Sequence, residues 1–246
     1  MHNQQTNPTK SPFGKGEFKG IHHLIWVFIY DMYPRVCDFL NNCFFFLLKA
    51  TGVLLLKAFY SIEVENRSRI PHQGPLIVAA NHFSYMDPVV LQSMFPRRIF
   101  YMMTELYYEG RGKRLFQFLR CICVKEKGSN ITALREGLEV LKKNSVLGIF
   151  PEGGVSSEGR IQEGNPGIGF LVIKSGAPVI PAFISGTYEA LPKGKIIPGI
   201  SKIKIILGNP MRFENFKNTK KEGVGEITRQ IMEQIKELSF SVKQTK

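Results

Sequence analysis

The chain has 246 residues, of which 43% are hydrophobic and 22% charged. That is enough to bury a large core without disulfides or a structural metal, and it excludes a disulfide miniprotein or a disordered tail. Thirty-three Lys+Arg against 20 Asp+Glu give +13, so an anionic partner is expected, whether nucleic acid, acidic lipid or a phosphorylated metabolite.

Residues 1–20 are polar and rich in Gly and Pro, with neither an apolar core nor a small-residue cleavage site. They read as a flexible lead and not as a signal peptide. Residues 21–60 are aromatic and aliphatic, broken by Asp31, Arg35, Asp38, Lys49 and Lys57. The uncharged stretches fall short of the roughly 18–20 residues that span a bilayer. Two helices parted near Tyr33-Pro34 would instead form a hairpin lying in one leaflet, with Trp26, Tyr30 and Tyr33 at headgroup depth. A hairpin buried against the domain is the alternative.

Residues 61–246 form the domain proper. Leu76–Ala80, Ile99–Met103, Ile122–Val124, Val146–Phe150 and Val179–Ile184 read as buried strands. Between them lie helices, the clearest over 129–144 with Ile131, Leu134, Leu138 and Leu141 on one face. Ile203, Ile205 and Leu207 mark a strand exposed on one side at the sheet edge, and a helix near 225–238 closes the chain. Alternating strands and helices predict an α/β fold with a largely parallel central sheet flanked by helices.

In such sheets reactive groups gather beyond the carboxyl ends of strands. Asn81-His82-Phe83-Ser84-Tyr85-Met86-Asp87-Pro88 follows the first strand, and Pro151-Glu152-Gly153-Gly154 follows another. A turn into a helix holding Pro88 in its first turn would let Asp87 reach back to His82 Nδ1–H and leave Nε2 free as a base. The same spacing suits plain helix capping by Ser84 or Asp87, and Glu152 could equally cap its own loop. There is no Gly-x-Ser-x-Gly elbow to supply an enzymic nucleophile. A substrate hydroxyl can then attack directly, as in acyl transfer from a thioester to an alcohol, where Gly153 and Gly154 would allow a substrate close to the backbone. The four cysteines lack metal-ligand spacing and read as reduced and structural, which fits a cytosol-facing location. No nucleic-acid module accompanies the basic residues. Gly164-Asn165-Pro166-Gly167 lacks phosphate-loop spacing and reads as a turn into the helix 168–174.

Asn81-His82-x4-Asp87 resembles the NHx4D motif of the glycerolipid acyltransferases, and Phe150-Pro151-Glu152-Gly153 resembles their FPEG motif. Ala177-Pro178-Val179-Ile180-Pro181 is similar to their third landmark, and Cys123-Val124-Lys125 falls where the family carries a basic acceptor-binding segment. The likeness covers roughly residues 61–210 and is greatest to the bacterial 1-acylglycerol-3-phosphate (lysophosphatidic acid) acyltransferases. It implies a monotopic enzyme on the cytoplasmic face of the cell membrane that moves an acyl chain from acyl-CoA or acyl-carrier protein to lysophosphatidate, giving phosphatidate with no metal or redox cofactor. His82 would be the general base and Asp87 its orienting partner, with Glu152, Gly153 and Gly154 shaping the acceptor site. Two positions depart from the family pattern: Val155 and Lys125 stand where guanidinium groups are usual. Lys125 or Arg160 would meet the phosphate instead, each with solvated surface as the plainer alternative. A different acceptor, such as glycerol 3-phosphate or a lyso-aminolipid, and a non-catalytic lipid-binding protein are the competing readings. An apolar tunnel should hold the acyl chain, with Phe100, Tyr101, Met102 and Met103 as candidate walls.

Overall fold

The computed structural model describes residues 21–110, 112–128, 130–216 and 221–243, so the lead over 1–20 lies outside the described residues. The chain divides into two compact units, residues 1–46 and 47–246. Helix α1 (Ile21–Phe59) is continuous through Pro34, which replaces the expected helical pair by one 39-residue helix. A proline removes one backbone hydrogen bond, and the Leu-, Phe- and Ala-rich sequence on its C-terminal side carries no glycine until Gly52 to cap an end. Within the first unit, Phe39, Leu40, Phe44 and Phe46 are exposed. The stretch Asp38–Phe59 is long and apolar enough to cross a membrane by length and composition, a criterion the charge-to-charge spacing alone did not meet.

The last part of α1 belongs to the second unit, which begins inside the helix at Leu47. Leu56 is buried in the domain core, and Lys49 Nζ donates to Phe95 O at 2.5 Å.

Seven strands build one sheet: β1 (Ser61–Glu65), β2 (Leu76–Ala80), β3 (Ile99–Thr104), β4 (Ile122–Val124), β5 (Val146–Ile149), β6 (Val179–Ser185) and β7 (Lys202–Leu207). Their order is β1-β7-β6-β2-β5-β3-β4. The five strands from β6 to β4 are parallel, while β7 runs antiparallel to β6 and takes β1 alongside in parallel. The expected strand at 203–207 is therefore interior and not at the edge. The edge belongs to β1, a five-residue strand whose Glu63 and Glu65 mask its pattern in sequence. Lys204 does not face free solvent either, since its Nζ lies 2.6 Å from Glu65 Oε1.

Period-two alternation divides the core between the two faces of the sheet. Leu76, Val78 and Ala80 of β2 join helix α2 (Asp87–Met94) through Val90, Leu91 and Met94. Ile77 and Ala79 face α5 (Ile131–Lys142), α6 (Gly167–Ser175) and α8 (Lys221–Lys243). All five residues of β2 are buried, as a strand covered by helices on both faces requires. Short helices α3 (Glu105–Tyr108), α4 (Lys113–Phe118) and α7 (Thr187–Ala190) sit between the longer elements. On α5 the fully buried residues are Ala133, Gly137 and Leu141; Ile131, expected on the inner face, is exposed.

Helices α6 and α8 touch at Gly169, where a Cβ would come within 2.2 Å of Val224 O and 2.9 Å of Thr228 Oγ1. Two helix backbones approach this closely only over a residue without a side chain. Gly169→Ala should therefore cost about 1–3 kcal/mol of stability, as overpacking of a close contact does. Chemical denaturation of the purified variant checks this; an unmoved midpoint would contradict the helix contact.

Candidate active site

The C-terminal ends of β2 and β5 are neighbours, so residues 70 positions apart in sequence meet there within one strand spacing of about 4.8 Å. Asn81, fully buried, extends the β2–β6 ladder with its side chain: Nδ2 donates to Ile184 O at 2.9 Å and Oδ1 accepts from Ile184 N at 2.7 Å. This fixes the chain direction just before His82.

Asp87 opens α2, yet its carboxylate serves the loop before the helix. Oδ2 accepts the backbone N–H of Phe83 at 2.7 Å and of Ser84 at 2.8 Å, and lies 2.9 Å from His82 Nδ1. A carboxylate oxygen already taking two amide protons can only accept, so Nδ1 carries the hydrogen, and in the neutral ring Nε2 is the nitrogen with the lone pair. Asp87 is fully buried, while the His82 side chain retains 15% of its surface. The capping alternative is not what forms: the cap residue is Met86, and Ser84 Oγ accepts from Met86 N at 3.1 Å while donating to Leu191 O at 2.7 Å.

Sequence reasoning did not find what lies beneath the imidazole. Phe150 stacks on His82 with centroids 4.0 Å apart and 18° between planes, and Tyr101 stacks on Phe150 at 6.0 Å and 8°. Tyr101 lies across Gly148 of β5, whose missing Cβ would sit 2.6 Å from the ring. Its hydroxyl is buried without a hydrogen bond, and burial pushes its pKa well above the ordinary value. Tyr101 thus props the site aromatics.

Glu152, also buried, accepts the His82 backbone N–H through Oε1 at 3.0 Å. Burial pushes its carboxyl up to about 7, against the pull of the His82 and Gln162 amides. The turn that presents it closes with Gly153 N–H donating to Phe150 O at 3.0 Å, with Gly153 at φ +78°. A Cβ there would meet Asn165 Nδ2 at 2.5 Å, and that amide donates to Glu152 O. Gly154 is exposed with open space where its Cβ would be, so no close approach within the chain demands glycine there. Ser156 N–H returns to His82 O at 2.8 Å, tying the two loops together.

Lys125 and Arg160 do not join this cluster. Lys125 is exposed at the end of edge strand β4, three strands or about 14 Å from β2, and its backbone N–H donates to Asn130 Oδ1. Arg160 is 83% exposed beside Glu158 at 3.7 Å. It lines a groove of about 910 Å³ with Phe83, Ile161, Phe183 and Met232, between the loop 159–166, the end of β6 and α8. Phe100 to Met103 take no part in that groove. Burial pushes the Cys121 thiol up to about 11, which fits an inert thiol; Cys43 and Cys123 are free as well. Among the described residues no group of three or more His, Cys, Asp or Glu could hold a metal ion.

Fold and site together define an α/β protein with a histidine–carboxylate couple on the C-terminal edge of a mostly parallel sheet. Residues 61–185, half of the chain, match the family model described as Acyltransferase, and the chain belongs to that acyltransferase family. A 1-acyl-sn-glycerol-3-phosphate acyltransferase of Bacillus subtilis is 25% identical over 187 residues, covering 74% of this chain and 90% of the relative. A chloroplastic 1-acyl-sn-glycerol-3-phosphate acyltransferase of Brassica napus is 23% identical over 190 residues, 76% of this chain. The chain spans about half the length of that plant relative, 54%. The crystal structure of the 1-acyl-sn-glycerophosphate (LPA) acyltransferase PlsC from Thermotoga maritima shares the fold, with a TM-score of 0.64 at 24% identity over 87% of this chain and 92% of that one.

The Glu152 carboxyl titrates near 7 in the folded chain against 4.5 for an ordinary one. The folded state therefore holds a proton that the unfolded chain has released. The stability this contributes is full below pH 4.5 and is lost as the pH rises towards about 7. Glu152→Gln keeps the acceptor for His82 N–H and removes the titration, so its melting temperature should fall less than the parent's between pH 5 and about 7.5. Parallel melting curves across that range would refute the raised carboxyl.

Proposed function

We propose that the protein transfers an acyl chain from an acyl thioester to the 2-hydroxyl of 1-acylglycerol 3-phosphate, forming phosphatidate. The observation that carries this reading is the couple of His82 Nδ1 and Asp87 Oδ2 at 2.9 Å, with Nε2 turned away from the carboxylate and the ring partly open to solvent, in a member of the acyltransferase family. The names of the Bacillus and plant relatives support the acceptor.

In the reaction, His82 Nε2 takes the proton of the acceptor hydroxyl as its oxygen attacks the thioester carbonyl. Asp87 stabilises the imidazolium that forms and holds its plane together with Phe150. The tetrahedral intermediate collapses, the carbon–sulfur bond breaks, and the thiolate recovers the proton from His82. The substrate supplies the nucleophile and the thioester the leaving group, so the step needs no metal or redox cofactor. Glu152 serves the acceptor site by holding the His82 backbone, Gly153 by making the tight turn against Asn165, and Gly154 by giving it an unobstructed rim. The groove beginning at Phe83, one residue past the base, is suited to an acyl chain. Acyl-CoA and acyl-carrier protein are both suitable donors for a chain of net charge +13. The reading places the enzyme on the cytoplasmic face of the cell membrane as a monotopic protein, with the exposed aromatic and aliphatic residues of α1 in the lipid.

A different acceptor is the second reading, favoured by the placement of Lys125 and Arg160 away from His82. The test is acceptor-dependent thiol release by purified protein in micelles, comparing lysophosphatidate with glycerol 3-phosphate and a lyso-aminolipid. His82→Ala should lower turnover by about 10² to 10⁴, and Asp87→Asn should also fall because it misorients the ring. Unchanged turnover in His82→Ala would overturn the mechanism, and release with another acceptor alone would transfer the reading to that acceptor.

A further inference from the structure

The loop between α7 and β7 carries the most exposed large apolar side chains in the described residues: Ile196 at 91%, Ile197 at 83% and Ile200 at 93%. Lys193, Lys195 and Lys202 flank them on both sides, also exposed. This is not a frayed segment. Gly199 N–H donates to Ala190 O at 2.7 Å and Lys195 N–H to Pro192 O at 3.1 Å, so the neck is bonded and a turn shapes the tip. A loop held this way could have folded its isoleucines inward, and three at such exposure in water oppose the usual burial of this side chain.

Topology places the loop beside the reactive edge. β6 is parallel to β2, so Ser185 ends at the same edge as Ala80, and antiparallel β7 starts there, with Lys204 opposite Ser185. Leu191, at the base of the loop, takes the hydrogen bond of Ser84 Oγ, two residues after His82. On the other side of His82, the segment that follows β3 exposes Leu106 and Leu115 next to Lys113. The reactive edge thus has exposed apolar side chains on both sides, with basic charge unpaired among the described residues on the side of the 192–202 loop, since Lys113 is paired with Glu109.

We infer that Pro192–Lys202 is a membrane-penetrating loop, whose isoleucines enter the acyl boundary of an anionic lipid surface while its lysines bind the headgroups and hold the His82 edge against that surface. Isoleucine supplies apolar area to the acyl region, and lysine, with a long stem and a compact charge, suits the phosphate level. An apolar tip bordered on both sides by lysines has the layering of a bilayer surface, acyl chains inside and anionic headgroups outside. The inference rests on the membrane association proposed above, and it assigns a contact other than helix α1.

Ile197→Trp in a Trp26→Phe background gives the loop the only indole in the chain. Vesicles of phosphatidylglycerol and phosphatidylcholine, with and without bromine on the acyl chains, provide the readout. Parent and variant should pellet with these vesicles, and the position-197 indole should shift to the blue and be quenched by brominated lipid. A pelleted protein whose indole stays unshifted and unquenched overturns the loop while leaving the membrane reading intact. A parent that fails to pellet overturns both. Replacing Ile196, Ile197 and Ile200 together by Ser should leave the melting temperature unchanged, because those side chains touch little of the protein. Turnover on vesicle-borne acceptor should fall about tenfold, with turnover on a monomeric short-chain acceptor kept within about twofold. An equal fall on both acceptors would assign the loop a role in the site itself and overturn its role as a lipid contact.

Discussion

A single buried oxygen organises the reactive end of this molecule. Asp87 Oδ2 takes the amides of Phe83 and Ser84 and the ring proton of His82, so one atom sets the path of the loop and the plane of the imidazole together. Burying a carboxylate is costly, and its partner Oδ1 has no hydrogen bond among the described residues. Three donors on one oxygen offset that cost only while the loop keeps this shape. Folding of the loop and orientation of the base are therefore the same event. Glu152 extends the coupling to the next strand by holding His82 N–H, and Ser156 extends it back by donating to His82 O.

The legible parts of the fold were those with a strong local pattern. The runs at Leu76–Ala80 and Ile122–Val124 match β2 and β4, because continuous apolar segments between polar turns leave little choice. β1 escaped notice since alternating Glu63 and Glu65 on a five-residue edge strand look like a loop until β7 lies beside them. The same omission put β7 at the edge. Helix α1 runs through Pro34 because proline weakens one hydrogen bond of many, and sequence pattern reads it as a boundary. On α5 the inward stripe passes through Ala133 and Gly137, residues too small to dominate a hydrophobic pattern yet suited to close packing.

At the site, His82, Asp87 and Glu152 were readable from their position after strands, and the geometry joins all three. Lys125 rests on the resemblance to the family's basic segment and Arg160 on its charge, and neither is a guide to convergence here: one sits at the end of the edge strand and the other stands in solvent. Phe150 is legible as part of a motif and Tyr101 as an apolar candidate, but not their stacking under His82, which requires β3, β5 and β2 to be adjacent in space. The glycine at 148 was the available signal, since a Gly inside a buried strand marks a side chain lying across it.

A carboxyl titrating near 7 next to a candidate base also bears on how the site tolerates a charged acceptor. If Glu152 were ionised, two carboxylates would lie at adjacent strand ends beside His82, and Asp87 is among the causes that raise Glu152. The raised carboxyl is ionised to a smaller extent near neutral pH than an ordinary one, and Oε1 accepts the His82 N–H in either state. Burial thus moderates the negative charge of an edge that needs one buried carboxylate, Asp87, to orient its base.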